Sequence, residues 1–171
     1  TKTALLHDMG NLIKIYMVDS SFIQNYEREE LEIEKDKFIS KYGNEEHMVT
    51  NNILMEIGVS EDVINLYNNL GSSKIPITLD SNDWNRKICS YSDFRIDLKG
   101  VVSITERFNE VIKRYSGKNH ILADIEKTEQ KKKNALILES QIQEKCNINL
   151  SLIDNKSIEN KILELKDYKI I

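Results

Sequence analysis

Apolar residues recur along most of this chain at spacings of three and four, the period of an α-helix with one buried face. From about Thr3 to Met17 a first helix is predicted, with Ala4, Leu5, Leu12 and Ile15 among its apolar positions. A charged segment from Glu27 to Lys41 follows and stops at Gly43. A third helix is predicted over Glu45 to Ile57, closed by Gly58. Ser60-Glu61-Asp62-Val63 places an N-cap residue before two acids, a helix start, and Gly71 ends that helix. Pro76 is placed in a loop, after which Ser81 or Asn82 opens a helix through Trp84, Ile88, Tyr91 and Ile96. Ser103-Ile104-Thr105-Glu106 reads as a capping box, the serine as N-cap and the glutamate at the third helical position. That helix runs to Tyr115 and stops near Gly117. A long helix from about Asn119 to Lys145 and a short one from about Ser157 to Asp167 complete an all-α pattern. The loop between them, Asn147 to Asn155, carries Leu150, Leu152 and Ile153 and is expected to dock rather than dangle.

Composition supports this picture. One proline and six glycines in 171 residues leave long helices undisturbed. A chain of this length can bury its own core without staples. Cys89 and Cys146 are far apart, which argues against a cysteine-based zinc site and for a reducing, cytoplasmic compartment. Apolar runs are short, so no membrane partner is expected. The formal charge of −4 makes nucleic acid an unlikely partner, and Lys131 to Lys133 reads as a solvated helix face.

Two carboxylates stand where apolar residues are expected. Asp8 aligns with Ala4, Leu12 and Ile15, and Asp93 aligns with Cys89 and Ile96. A buried carboxylate is costly unless it is paired or bound to a metal. Pairing with Lys14 or Arg95 is the plain alternative. His7, beside Asp8, adds a nitrogen donor that could reach the same ion, and a remote aspartate could then close the set. His47 lies on a mixed stripe with Thr50, Leu54 and Gly58 and reads either as a surface or core histidine or as a metal or phosphate contact. His120 reads as a surface residue.

Ala4-Leu5-Leu6-His7-Asp8-Met9-Gly10-Asn11 resembles the central motif of the HD-domain superfamily, an apolar helix running into His-Asp and then a glycine. Tyr91-Ser92-Asp93-Phe94-Arg95-Ile96 resembles the distal motif of the same superfamily, an aspartate after a Tyr-Ala or Tyr-Ser pair. The resemblance covers roughly Thr3 to Tyr115. It implies an HD-domain-like helical bundle over residues 1–117, with a C-terminal helical extension over 118–171. It also implies a metal-dependent phosphohydrolase acting on a nucleotide or other phosphate ester. Carried over, His7, Asp8 and Asp93 bind a divalent transition metal (Mn, Fe, Co, Ni or Zn), Asp8 is central to catalysis, and His47 is a candidate additional contact. Lys14 could help hold the substrate phosphate, while Arg95 is expected to point away from the metal. The family's first histidine comes from a helix upstream of the dyad. None precedes His7 here: either a further N-terminal segment or a companion chain supplies it, or it never existed, in which case the metal site is expected to be weakened or dead. Asn11 stands where several catalytic subgroups have Lys or His. Two other readings remain: a non-catalytic HD-fold module that binds a nucleotide or a partner protein, and a plain helical interaction protein.

Overall fold

The computed structural model describes residues 2–17, 28–117 and 121–165. Glu27, Asn119, His120, Asp167 and the side chain of Ile15, all named above, lie outside the described residues. The chain is mainly helical and divides into two compact units, Thr1–Asn68 and Asn69–Ile171. The expected junction at 117 and 118 falls inside the second unit, where flanking helices pack on one another.

In the first unit the predicted opening helix breaks in two. Helix α1 spans Lys2–Leu6, His7 and Asp8 form a turn, and a 3-10 helix covers Met9–Met17. The buried positions are Thr3, Leu6, Gly10 and Ile13, while Ala4, Asp8 and Leu12 are exposed. The predicted apolar face is therefore the solvent face, and Asp8 is not a buried carboxylate. The break follows from close packing: the Gly10 amide donates to Thr50 Oγ1 at 3.1 Å. A Cβ at Gly10 would stand 2.7 Å from the Glu46 carbonyl oxygen. Helix α2 (Arg28–Tyr42) and helix α3 (Glu46–Glu56) pack against the 3-10 helix. Ile13, Val49 and Ile53 form one apolar cluster there, with Phe38, Ile39 and Tyr42 against it. Helix α4 (Glu61–Asn68) packs on α1 and brings Tyr67 to Leu6 and Leu54.

The second unit is built around helix α8 (Ile125–Gln143), which buries Thr128, Ala135, Leu138 and Ile142 at helical spacing and keeps its charged residues exposed or half-buried. Helices α5 (Ile75–Asp80), α6 (Trp84–Phe94) and α7 (Ile104–Tyr115) pack against it. Ile75, Tyr91, Phe94, Ile104 and Phe108 complete the core. Pro76 sits in the first turn of α5 and not in a loop, a position where its missing N–H costs nothing. The helix expected to run through Ile96 stops at Phe94 and gives way to a hairpin of β1 (Ile96–Asp97) and β2 (Gly100–Val101). Gly100 has φ +107°, which favours glycine.

The capping box of α7 forms as predicted, with the Ser103 hydroxyl accepting from the Glu106 amide at 3.1 Å. Along the loop after α8, Leu150 is buried and Ile153 packs on the core, while Leu152 is exposed. Arg95 holds this loop from below. Its Nη1 donates to the Leu150 carbonyl at 3.1 Å, its Nη2 to the Ile153 carbonyl at 2.8 Å and its Nε to the Val102 carbonyl at 2.5 Å. Tyr91 and Glu139 complete the network, and the expected Arg95 salt bridge goes to Glu139 at 3.5 Å. Asn155 then ties the chain to the hairpin through the Val101 amide and the Lys99 carbonyl. Last comes helix α9 (Glu159–Leu165). Among the described residues no helix is long and apolar enough to cross a membrane.

Candidate functional site at the His-Asp turn

The turn between α1 and the 3-10 helix orients His7 through the backbone. His7 Nδ1 lies 2.8 Å from the Ala4 carbonyl oxygen. A carbonyl can only accept, so Nδ1 carries the proton and donates. The other ring nitrogen, Nε2, faces Asp8 Oδ2 at 3.3 Å. A protonated ring makes an ion pair there. A neutral ring instead turns its lone pair toward a carboxylate oxygen, an arrangement relieved by a cation bound to both. Two donors each about 2.1 Å from one ion stand about 3.0–3.4 Å apart at right or tetrahedral angles, so the spacing suits a shared ion. The His7 and Asp8 side chains are 27% and 62% exposed, so an ion could reach them from solvent.

The other first-unit candidates gather at the start of α3. Glu45 caps this helix, accepting from the Met48 amide at 2.8 Å and the His47 amide at 3.1 Å. These two bonds, the Met48 one foremost, hold its carboxyl below the usual range. Lys14 is ion-paired to Glu46. His47 is exposed, and its Nδ1 shares a hydrogen bond of 3.1 Å with the Tyr67 hydroxyl. Burial, first, pushes the Tyr67 hydroxyl above its ordinary pKa, and the charges of Glu46, Glu45 and Asp8 add to this. Asp8 is thus felt at the same phenol that His47 touches. The acidic start of α3 was not singled out in the sequence, although Glu45 and Glu46 directly precede His47.

Asp93 lies in the second unit, partly buried near the end of α6. The structure therefore joins His7 to Asp8 and sets His47 and Lys14 among the residues at the start of α3. Among the described residues, no group of three or more His, Cys, Asp or Glu side chains is arranged to hold a metal ion. Cys89 and Cys146 are free thiols, and burial raises the pKa of Cys89 above its ordinary value. No family model, curated protein or solved structure matches the chain.

Proposed function

We propose that this chain is a metal-dependent phosphohydrolase domain of HD type acting on a nucleotide or other phosphate ester. The observation that carries the reading is the His7–Asp8 pair, a nitrogen and an oxygen donor 3.3 Å apart with the imidazole tautomer set by a backbone carbonyl. A backbone acceptor on the far ring nitrogen is the usual way a ligating histidine is oriented. Mixed imidazole and carboxylate donors suit Mn, Fe, Co, Ni or Zn better than Ca. His7 and Asp8 would hold the ion, with His47, in the same compact unit, as a candidate further contact. The bound metal would supply a hydroxide nucleophile near neutral pH and polarise a phosphoryl oxygen. Lys14 would have to leave Glu46 to meet a phosphate.

Two internal contacts favour a second reading, a non-catalytic module of the same type that binds a nucleotide or partner protein. The candidate phosphate contact Lys14 and the candidate metal contact His47 are each engaged by a neighbour, Glu46 and Tyr67. Elemental analysis and manganese titration of wild type and Asp8→Ala test the metal site. Wild type is expected to retain or take up a transition ion, and Asp8→Ala to lose it. Equal metal in the two proteins overturns the site. Turnover of nucleotides or an aryl phosphate, lost in Asp8→Ala, separates the readings; metal binding without turnover favours the non-catalytic module.

A further inference from the structure

His7 and His47 are oriented by partners of different kinds. His7 Nδ1 donates to the Ala4 carbonyl, so the proton of a neutral ring sits there and Nε2 carries the lone pair. His47 Nδ1 lies 3.1 Å from the Tyr67 hydroxyl, a group able to donate or to accept. Tyr67 is 3% exposed, with Leu6 and Leu54 packed on it, so its hydroxyl stays beside the imidazole. Of the two possible bonds, O–H to N is the better one. A phenol draws its oxygen lone pair into the ring and accepts poorly, while an imidazole nitrogen is a strong neutral acceptor. Burial, and then the charges of Glu46, Glu45 and Asp8, keep the proton on this phenol. With Tyr67 donating, Nδ1 of His47 is the lone-pair nitrogen and the ring proton stands on Nε2. The two histidines thus present opposite outer nitrogens, a lone pair at His7 and an N–H at His47.

His47 also stands beside the His-Asp turn. Gly10, two residues past Asp8, donates its amide to Thr50 Oγ1 at 3.1 Å. Thr50 follows His47 by three residues on α3, a spacing that makes the two neighbours on the helix surface. His47 is exposed, so a solute can reach its outer nitrogen. The carboxylates that precede it are both engaged: Glu45 accepts from the His47 and Met48 amides, and Glu46 is paired with Lys14. We propose that Tyr67 is a positioning residue that holds His47 as the Nε2–H tautomer, so that His47 meets a phosphoryl oxygen of the substrate as a hydrogen-bond donor and does not ligate the metal. The assignment rests on the phosphohydrolase reading and divides its histidines between ion and substrate. No proton is transferred, because a neutral imidazole does not give up its remaining proton near neutral pH; Nε2–H acts by orienting the phosphate.

Imidazole 15N resonances of wild type and Tyr67→Phe read the tautomers, under mildly basic conditions where an ordinary imidazole is neutral. Wild-type His47 is expected to show a protonated Nε2 and a bare Nδ1, the reverse of His7. Tyr67→Phe keeps the ring and removes the hydroxyl, and should return His47 to a mixture of tautomers while His7 stays as it was. Added zinc should leave the His47 Nε2 proton in place. Inorganic phosphate, alone and with magnesium, should move the His47 Nε2 resonance. Its binding should weaken about tenfold in His47→Ala, the loss of one hydrogen bond to an anion, and about twofold in Tyr67→Phe, where the donor tautomer is only partly populated. A proton on Nδ1 in wild type, zinc displacing the Nε2 proton, a resonance unmoved by phosphate, or a tautomer unchanged in Tyr67→Phe each overturns the proposal. If Tyr67→Phe does not fold, the wild-type spectra decide. None of these readouts needs turnover or an ion at Asp8, so failure of the phosphohydrolase reading is told apart from failure of this one.

Discussion

Single residues carry much of what is unusual here. Tyr91 places its hydroxyl between Glu139 and Arg95 within the second core. Burial, with the Glu139 carboxylate adding to it, pushes its pKa up to about 12 from the ordinary tyrosine value of 10.0. A group whose pKa is raised on folding contributes stability that is complete below its unfolded value and disappears as pH rises through the folded one. The chain is therefore expected to lose stability between about pH 10 and 12, and Tyr91→Phe to lose less over that interval. Urea denaturation of both proteins across this range measures the difference. An identical decline would show that the loss comes from other groups. His7 and Asp8 were legible as neighbours in the sequence, but their environment was not. Period alone cannot say which of two helix faces is buried when Ala4, Leu5 and Leu12 leave both partly apolar. The structure buries the face holding Thr3, Leu6, Gly10 and Ile13.

Elements with local signals were read well. The Ser103–Glu106 capping box and the helix at Glu46–Glu56 formed where end signals and period agreed. Helix α6 was extended too far because Ile96 continues its spacing, although Gly100 and the Asp97 side chain, which accepts from the Lys99 amide at 2.6 Å, are turn features. The break after α1 was beyond sequence reading, since it depends on how closely α3 approaches. That approach makes a prediction. A methyl group at Gly10 would meet Thr50 Oγ1 at 2.5 Å and the Glu46 carbonyl at 2.7 Å, and the backbone atom cannot swing aside. Gly10→Ala should destabilise the protein by about 1–3 kcal/mol, as overpacking does. Chemical denaturation gives the value. A change within a few tenths of a kcal/mol of wild type would mean that the two helices are free to separate.

At the scale of the whole molecule, each compact unit has apolar packing of its own, and one buried arginine, with Gln143 and Asn155, holds the chain's course after α8. Removing the Arg95 guanidinium would strand the carbonyls of Val102 and Ile153, leave that of Leu150 with the Ile153 amide at 3.2 Å, and take the cation from Glu139. Arg95→Met is expected to cost about 3 kcal/mol or more. It should also open the segment 147–155 to proteases, with cleavage rates followed by mass spectrometry. Unchanged cleavage there would show that Leu150 and Ile153 hold the segment without it. The docking of Leu150 and Ile153 was legible in their apolar side chains; the clamp was not, because a carbonyl acceptor has no signature in sequence.

That last property has a consequence for how the chain tolerates mutation. Arg95 grips the loop by main-chain oxygens, which every amino acid possesses. It therefore constrains the path of the loop without constraining its letters. Leu152 is 70% exposed between the two gripped residues, and the Ser151 hydroxyl reaches only Asn149. These two positions can drift through many residue types while the loop stays in place. The cost of holding it is concentrated at Arg95, where even lysine, with a single ammonium, cannot reproduce a planar fork that serves three carbonyls at once.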